Sequence, residues 1–218
     1  DYAIMLIDES NKHKVISRIN YKNIEYLQFI DLGSMDFNQI CARLIQKDAA
    51  IIDLRNGGRN DKALFRCYEF ANWIIPKKEA FAVFSKANIN LPGYFQVADT
   101  NFVGGIFNAN KNRFKGLVVV LVNEKVQSSL ECLSMAFQKI PNCYLIGSQT
   151  SGTDGNISEI TLPGNIQTCF SGIGVYYPNG RETQVVGLKL DRVVENSIED
   201  IQKNRDNALE YAYNFILR

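Results

Sequence analysis

The sequence lacks the compositional marks of a nucleic-acid-binding or membrane-spanning protein. Its 24 lysine and arginine residues nearly balance 23 acidic residues, for a net charge of +1 at pH 7. A nucleic-acid or anionic-membrane partner would call for a clear basic excess, so we expect neither. No run approaches the roughly 18 apolar residues of a membrane span, because the longest, residues 116–122, is only strand-sized. No signal peptide opens the chain, and Asp1 is not preceded by a methionine, so we expect that a leader or a preceding domain has been removed.

Residues suited to metal binding and redox chemistry are also scarce. The only histidine, His13, lies in a polar segment, where we expect an exposed turn. The five cysteines have no C-x-x-C spacing, which a zinc or redox site would show, so we predict buried free thiols. A phosphate-binding G-x-x-x-x-G-K-[ST] loop is missing too. The sequence therefore predicts no metal and no cofactor.

Apolar spacing predicts an α/β protein with two regions. Residues 1–23 predict strands separated by polar turns, and we assign them to an N-terminal region that ends where the main domain, residues 24–218, begins. Within the main domain, the apolar runs 49–54 and 117–122 predict strands buried on both faces, each followed by an amphipathic helix. Two successive strand–helix–strand units predict a parallel sheet with right-handed crossovers.

The remaining segments have weaker patterns. Residues 24–30 predict a strand, and residues 77–115 predict a long irregular excursion, which in compact domains tends to be a binding loop or a lid. Short strands are expected around residues 159–177, and one continuous helix is expected over residues 198–217.

Two junctions between a strand and a helix carry the residues that indicate chemistry, because ligands of open α/β sheets bind where strands end. The first is the segment DLRNGG, in which Gly57 and Gly58 allow backbone N–H groups to face a ligand. At the second, Ser128 and Ser129 open a helix. Ser128 followed by Glu131 is a capping box, but a serine at a helix start also lies near N–H groups that can stabilise an oxyanion. The local pattern leaves both interpretations open.

Four sequence blocks, in this order, resemble the C-terminal processing (tail-specific) serine peptidases. They are DLRNGG, VVVLVNE with the serine-rich helix start, IGSQTSG and, after a Pro-Asn-Gly turn, QVVGLKLD, where the family usually has Q-x-x-G-I-x-P-D. The resemblance covers roughly residues 24–195 and is closest to Bacteroidetes-type members. It implies a crotonase/Clp-protease-like α/β fold, with a parallel core sheet flanked by helices and short additional strands.

The resemblance also implies a function and a site. Residues 24–218 would form a peptidase-like catalytic domain, with Ser128 as the nucleophile of an acyl-enzyme mechanism. The N–H groups of Ser129, Gly57 and Gly58 would form the oxyanion hole. The implied substrate is a peptide or protein bound as an extended strand, without nucleic acid or cofactor, and the implied location is the periplasm, the cell surface or the medium.

The general base of the family is missing from its usual position. The family block G-x-x-T-x-G-K-G reads GSQTSGTDG here, so Thr153 replaces the lysine, and a threonine hydroxyl cannot take the serine proton at neutral pH. Other members use a histidine that lies near the strand of residues 25–29. That strand has Gln28 here, and glutamine is not a base. The candidates for a base or an orienting group are Thr153, Asp154, Glu182 and Gln184. A carboxylate with an ordinary pKa near 4 is a poor base for a serine, and Asp154 in a turn or Glu182 in a solvated hairpin also fits the pattern.

Three explanations for the missing lysine stay open. In the first, the base comes from outside residues 1–218. In the second, it is an unusual base built from Asp154 or Glu182. In the third, the domain has lost catalysis and only binds peptides. A crotonase-type acyl-CoA enzyme is a further alternative that rests on the fold alone.

Overall fold

A computed structural model of the chain describes residues 23–105 and 113–218. The predicted strands before residue 23 and His13 lie outside the described residues, as do residues 106–112 of the excursion. The prediction of a separate region at residues 1–23 therefore stays a prediction. In chain order, the described helices and strands are β1 (Ile24–Gln28), α1 (Phe29–Leu32), α2 (Phe37–Leu44), β2 (Ala49–Asp53), α3 (Asp61–Ile74), β3 (Glu79–Ala87), β4 (Phe95–Val103), β5 (Leu117–Val122), α4 (Ser129–Phe137), β6 (Cys143–Gly147), β7 (Ile157–Leu162), β8 (Ile166–Ser171), β9 (Ile173–Tyr176), β10 (Arg192–Val193), α5 (Ile198–Gln202) and α6 (Asn207–Ile216).

The core of the molecule is a five-stranded sheet in the order β1-β2-β5-β6-β10, and every neighbouring pair is parallel. Its central strands β2 and β5 consist of apolar residues apart from Asp53, as is typical of strands that are covered on both faces. Ile52 and Val120 belong to the cluster on the side of helices α1 to α4. Ile51 and Val119 belong to the cluster on the side of α6, as expected from the alternation of side chains along a strand. The predicted parallel sheet with flanking helices is confirmed.

Smaller antiparallel elements surround this core. A three-stranded sheet has the order β4-β3-β9, and β7 pairs with β8 in a two-stranded hairpin. The prediction that residues 77–115 are irregular is therefore wrong for their described part, which contains the long β3–β4 hairpin. The pattern gave no strand signal there because β4 is an edge strand with most of its side chains exposed on both faces.

Two further boundaries differ from the prediction. The first strand ends at Gln28, and a short helical turn follows, so the predicted strand over residues 24–30 is too long. The predicted C-terminal helix is two helices, separated where Asn204 has a φ of 51° and where the Asp206 side chain accepts a hydrogen bond from the Leu209 amide to begin α6. Asparagine tolerates this left-handed conformation, which a continuous helix does not contain.

The cysteines are free, and their burial varies. Cys67 is buried and Cys169 is exposed on β8, so the prediction of buried thiols holds for the first and is wrong for the second. Across residues 23–105 and 113–218, no helix is both long and apolar enough to cross a membrane.

Candidate active site

The loops that follow β2, β5 and β6 all leave the main sheet at the carboxyl ends of its strands. Asp53 on β2 is aligned with Leu121 on β5, which is aligned with Ile146 on β6. Because the three strands are parallel, the segments that follow them lie side by side. The sequence blocks that were separated along the chain thus meet at the carboxyl end of the sheet.

Ser128 has a backbone conformation unlike that of an ordinary helix cap. Its φ and ψ are 52° and −121°, whereas the cap residues Asp36 and Ser197 have extended backbones with φ of −84° and −72°. A cap residue normally has the extended conformation. For a residue other than glycine or asparagine, such a backbone costs roughly 1–3 kcal/mol, and such residues cluster at active sites. The same kind of sharp strand-to-helix turn exposes the nucleophilic serine of α/β-hydrolases.

Glu131 fixes the Ser128 turn to the loop that follows β6. Its side chain is completely buried. One carboxylate oxygen accepts hydrogen bonds from the Thr150 hydroxyl at 2.7 Å and from the Gly152 amide at 2.9 Å. The other accepts from the Thr153 amide at 3.0 Å and from the Ser128 amide at 3.3 Å. A buried carboxylate requires such donors, so this one side chain holds the nucleophile turn and the loop around Thr153 in a fixed relation.

The role of Glu131 was not predicted beyond its half of a capping box. The signal that could have revealed it is its position in the segment SLECLSMAF, where it is the only charged residue of a helix that is buried along most of its length. A charged residue in such a place needs partners from other parts of the chain.

The glycine loop after β2 packs against the start of α4. A Cβ on Gly57 would lie 2.8 Å from Leu130 Cδ1, so only glycine fits without displacement of that side chain. The Gly57 amide donates to the Leu54 carbonyl at 2.9 Å and is thus engaged within the turn. Within the described residues the amides of Gly58 and Ser129 donate no hydrogen bond to protein. These two N–H groups are therefore better placed than that of Gly57 to serve as oxyanion donors.

Arg55 anchors the base of the glycine loop. Its guanidinium donates to both oxygens of Asp53, at 2.9 and 2.8 Å, and to both oxygens of Asp206, at 2.7 and 2.8 Å. The Tyr26 hydroxyl donates to Asp53 at 2.7 Å. Since Asp206 caps α6, this network ties the glycine loop to the last helix of the chain.

Thr153 stands beside the nucleophile turn without a basic group. Its side chain is exposed, and its hydroxyl lies 2.8 Å from the Ser151 hydroxyl. Its amide shares one oxygen of Glu131 with the Ser128 amide, which places Thr153 next to the predicted nucleophile. The structure thus brings the residue that replaces the family lysine to the site and gives it no means of accepting a proton.

Asp154 is buried beneath this loop, with a relative exposure of 3%. One oxygen accepts from the Gly155 amide at 2.8 Å, and within the described residues the other has no hydrogen-bond donor. Burial, with a smaller contribution from the negative charge of Glu131, raises the pKa of Asp154 to about 7. The neighbouring thiol of Cys132 has a pKa raised to about 12 by burial, so it is neutral there.

Gln184 and Glu182 do not reach the site with their functional groups. The Gln184 amide donates to the backbone carbonyls of Asp154 and Ile173, at 2.8 Å each, and so fixes backbone and not a catalytic side chain. Glu182 is exposed, and its backbone forms an isolated antiparallel β-bridge with Tyr176 in a surface hairpin.

A cleft lies at the same end of the sheet. Its volume is about 590 Å³. Its walls come from the loops after β2, β5 and β6 and from the segments before α5 and α6, with Asn56, Asn123, Lys125 and Asn196 among the lining residues. Ser128, Ser129 and Gly58 are not among its lining residues, so the cleft neighbours the candidate site and does not contain it.

The parallel core sheet, with a serine at the start of the helix that follows a central strand, has the arrangement of the Clp-protease-like α/β fold of its structural neighbours. The chain belongs to peptidase family S41, whose family model matches residues 20–194. No curated protein matches the sequence.

Three solved structures illustrate the shared fold. A putative peptidase from Parabacteroides merdae has a TM-score of 0.74 and 21% identity, over 90% of this chain and 62% of its own. A putative S41 protease from Bacteroides fragilis has a TM-score of 0.56 and 15% identity, over 91% and 55%. The photosystem II D1 C-terminal processing protease has a TM-score of 0.55 and 17% identity, over 85% and 47%. The chain thus spans about half to three fifths of the length of these structures.

Proposed function

We propose that the protein is a serine endopeptidase of the C-terminal processing type that acts through Ser128. The observation that carries this proposal is the positive φ of Ser128, which distinguishes it from the other helix N-caps of the described residues. Family membership supports a peptide or protein as the substrate. Export from the cytoplasm is part of the proposal and is supported by the resemblance to the tail-specific peptidases.

The proposed reaction proceeds through an acyl-enzyme. The Ser128 hydroxyl oxygen attacks the carbonyl carbon of a peptide bond and loses its proton to a base. The N–H groups of Gly58 and Ser129 stabilise the oxyanion of the tetrahedral intermediate. The amine then leaves with a proton, and water hydrolyses the acyl-enzyme.

The identity of the base divides the proposal into its alternatives. A pKa of about 7 would allow Asp154 to accept a proton at neutral pH. Within the described residues, however, the Asp154 carboxyl is buried and receives no hydrogen bond from Ser128, so this route requires the loop to move. Glu182 is exposed in a surface hairpin, which favours a structural role. A base from outside residues 1–218 is compatible with the greater length of the three solved structures.

The proposal is tested by a fluorophosphonate probe that labels activated serines. We expect an adduct on Ser128, mapped by mass spectrometry, and we expect Ser128→Ala to abolish it while the thermal unfolding temperature is retained. Ser34→Ala, which changes an exposed serine in a turn, is the matched control and should label as the wild type does. Labelling that persists in Ser128→Ala would refute the assignment.

The second candidate function is peptide binding without turnover, which the threonine at position 153 favours. It predicts no adduct and no hydrolysis by the full-length protein, together with measurable affinity for peptides. Labelling of the full-length protein alone, and not of residues 1–218, would instead locate the base outside this chain. The family match favours both peptide-directed functions over the acyl-CoA alternative.

A further inference from the structure

Val185 combines an unfavourable backbone conformation with almost complete exposure. Its φ is 69°, a value that is a genuine outlier for a β-branched residue. Its relative exposure is 94%. An exposed side chain contributes little to folding, and glycine or asparagine would adopt this backbone more easily. Folding alone therefore gives no reason for a valine at this position.

The turn that carries Val185 is firmly attached on both sides. The buried Thr183 hydroxyl donates to the Val175 carbonyl at 3.0 Å, and the Gly187 amide closes the turn by donating to the Thr183 carbonyl at 2.7 Å. Between these anchors Val185 and Val186 project, with exposures of 94% and 51%. Two adjacent aliphatic side chains are thus held rigidly in solvent.

This turn lies directly against the candidate active site. The Val185 amide donates to the Gly152 carbonyl at 2.7 Å, and a Cβ on Gly152 would lie 2.9 Å from the Val185 carbonyl carbon. The amide of the same Gly152 is bound by Glu131, which also binds the Ser128 amide. Three hydrogen bonds, through Gly152 and Glu131, therefore connect the exposed valine to the nucleophile turn.

We propose that Val185, supported by Val186, forms the apolar wall of a substrate subsite that receives an aliphatic side chain of an extended peptide. The inference rests on the proposed peptidase or peptide-binding function of the Ser128 site. Backbone strain at a residue that contributes nothing to the core is typical of positions under a functional constraint. Burial of a leucine side chain against the valine supplies the selectivity, and a polar side chain of equal length gains none of it.

The test uses two peptidyl diphenyl phosphonates that differ only in the residue next to the reactive phosphorus, which is leucine in one and glutamine in the other. Further pairs of probes place the same leucine or glutamine at each of the next two positions of the peptide. The rate of adduct formation on Ser128 is measured for each probe. Fluorescein-labelled versions of the same peptides are bound to Ser128→Ala protein, which gives the preference without a reactive serine. The variants are Val185→Asn and Val185→Gly, and Val193→Asn is the control, since Val193 is 65% exposed on β10.

The expected result is a leucine preference of about five- to tenfold at one position in the wild type and in the Val193→Asn control. Val185→Asn and Val185→Gly should reduce this preference to about twofold or less, with the thermal unfolding temperature unchanged or raised. The fluorophosphonate, which has no peptide part, should label all of them equally. An unchanged preference in both Val185 variants overturns the inference, and so does a marked loss of thermal stability, which would assign Val185 to folding. The absence of any fluorophosphonate adduct refutes the proposed peptidase separately, and the binding ratios still decide the inference.

Discussion

At the scale of single residues, Thr153 has a fixed backbone and a side chain that is exposed to solvent. Its backbone is held by Glu131, while its side chain is exposed and touches only the hydroxyl of Ser151 among the hydrogen-bonding groups of the described residues. A longer side chain therefore has room to extend without disturbing the buried carboxylate.

We expect Thr153→Lys to supply the missing base. A lysine amine near Ser128 can accept the hydroxyl proton when it is unprotonated, and general base catalysis typically contributes 10²- to 10⁴-fold. The rate of fluorophosphonate labelling at pH 8 should rise by about tenfold or more, and it should increase with pH through the pKa of the lysine.

The control for this substitution is Thr153→Arg, which adds a positive charge that cannot be removed near neutral pH. If the arginine variant accelerates labelling as much as the lysine variant does, the effect is electrostatic and the lysine is not a base. No acceleration by the lysine would show that the site is not arranged for a Ser–Lys pair.

The residue scale also shows where sequence interpretation ends. Ser128 could be singled out by the order of the sequence blocks, and the absence of the lysine was visible at Thr153. The conformation of Ser128 could not be inferred, because a capping box and a strained turn have the same residues at the same spacing. The burial of Asp154 was equally hidden, because a Thr-Asp-Gly-Asn segment is typical of an exposed turn.

At the scale of elements, Glu131 joins a helix to a loop that would otherwise be separate. It lies in the first turn of α4, where a negative charge is favourable. Its carboxylate oxygens accept hydrogen bonds from three donors in the segment 150–153. The nucleophile turn therefore depends on a second segment of the chain for its shape.

We expect Glu131→Gln to disturb this arrangement, although it changes few atoms. The amide nitrogen of glutamine would face N–H donors, which leaves buried donors unpaired at about 1–3 kcal/mol each. The free energy of unfolding, measured in urea, should fall by roughly 2–3 kcal/mol, and fluorophosphonate labelling of Ser128 should fall by at least tenfold at temperatures where the variant is folded.

Glu159→Gln is the matched control, because Glu159 is exposed on β7 and its substitution removes the same charge. Both measurements should remain at wild-type values in this variant. A Glu131→Gln protein with full stability and full labelling would show that the carboxylate does not hold the turn.

Elements were predictable to the extent that burial left a periodic signal. Strands β2 and β5 are covered on both faces and appear as continuous apolar runs. Strand β4 is exposed along most of its length and had no such signal. The break between α5 and α6 depends on a positive φ at Asn204 and a cap at Asp206, which a helical pattern alone does not reveal.

At the scale of the whole molecule, the buried Asp154 links stability to pH. Its folded pKa of about 7 lies above the value of about 3.9 of an unfolded aspartate, so the folded protein binds a proton that the unfolded chain releases. The stabilising effect of this proton is complete below about pH 4 and is lost as the pH rises to about 7.

We expect Asp154→Asn to remove that dependence. The variant should have nearly the wild-type free energy of unfolding at pH 4.5 and should exceed it by roughly 2–4 kcal/mol at pH 8, as measured by urea denaturation. Asp99→Asn, which changes an exposed aspartate on β4, should follow the wild-type curve. Curves for Asp154→Asn and the wild type that run parallel from pH 4.5 to pH 8 would contradict the raised pKa.

The tie between Arg55 and Asp206 bears on where this structural unit is taken to end. The family model stops at residue 194, yet Asp206 and helix α6 lie beyond it, and α6 packs on one face of the main sheet at β5 and β6. A boundary drawn at the end of the recognisable sequence would expose that face and leave a guanidinium that is only 13% exposed with one of its two carboxylate partners. The stretch that identifies the family is thus shorter than the stretch that folds together, and the difference includes the helix whose capping aspartate holds the base of the glycine loop.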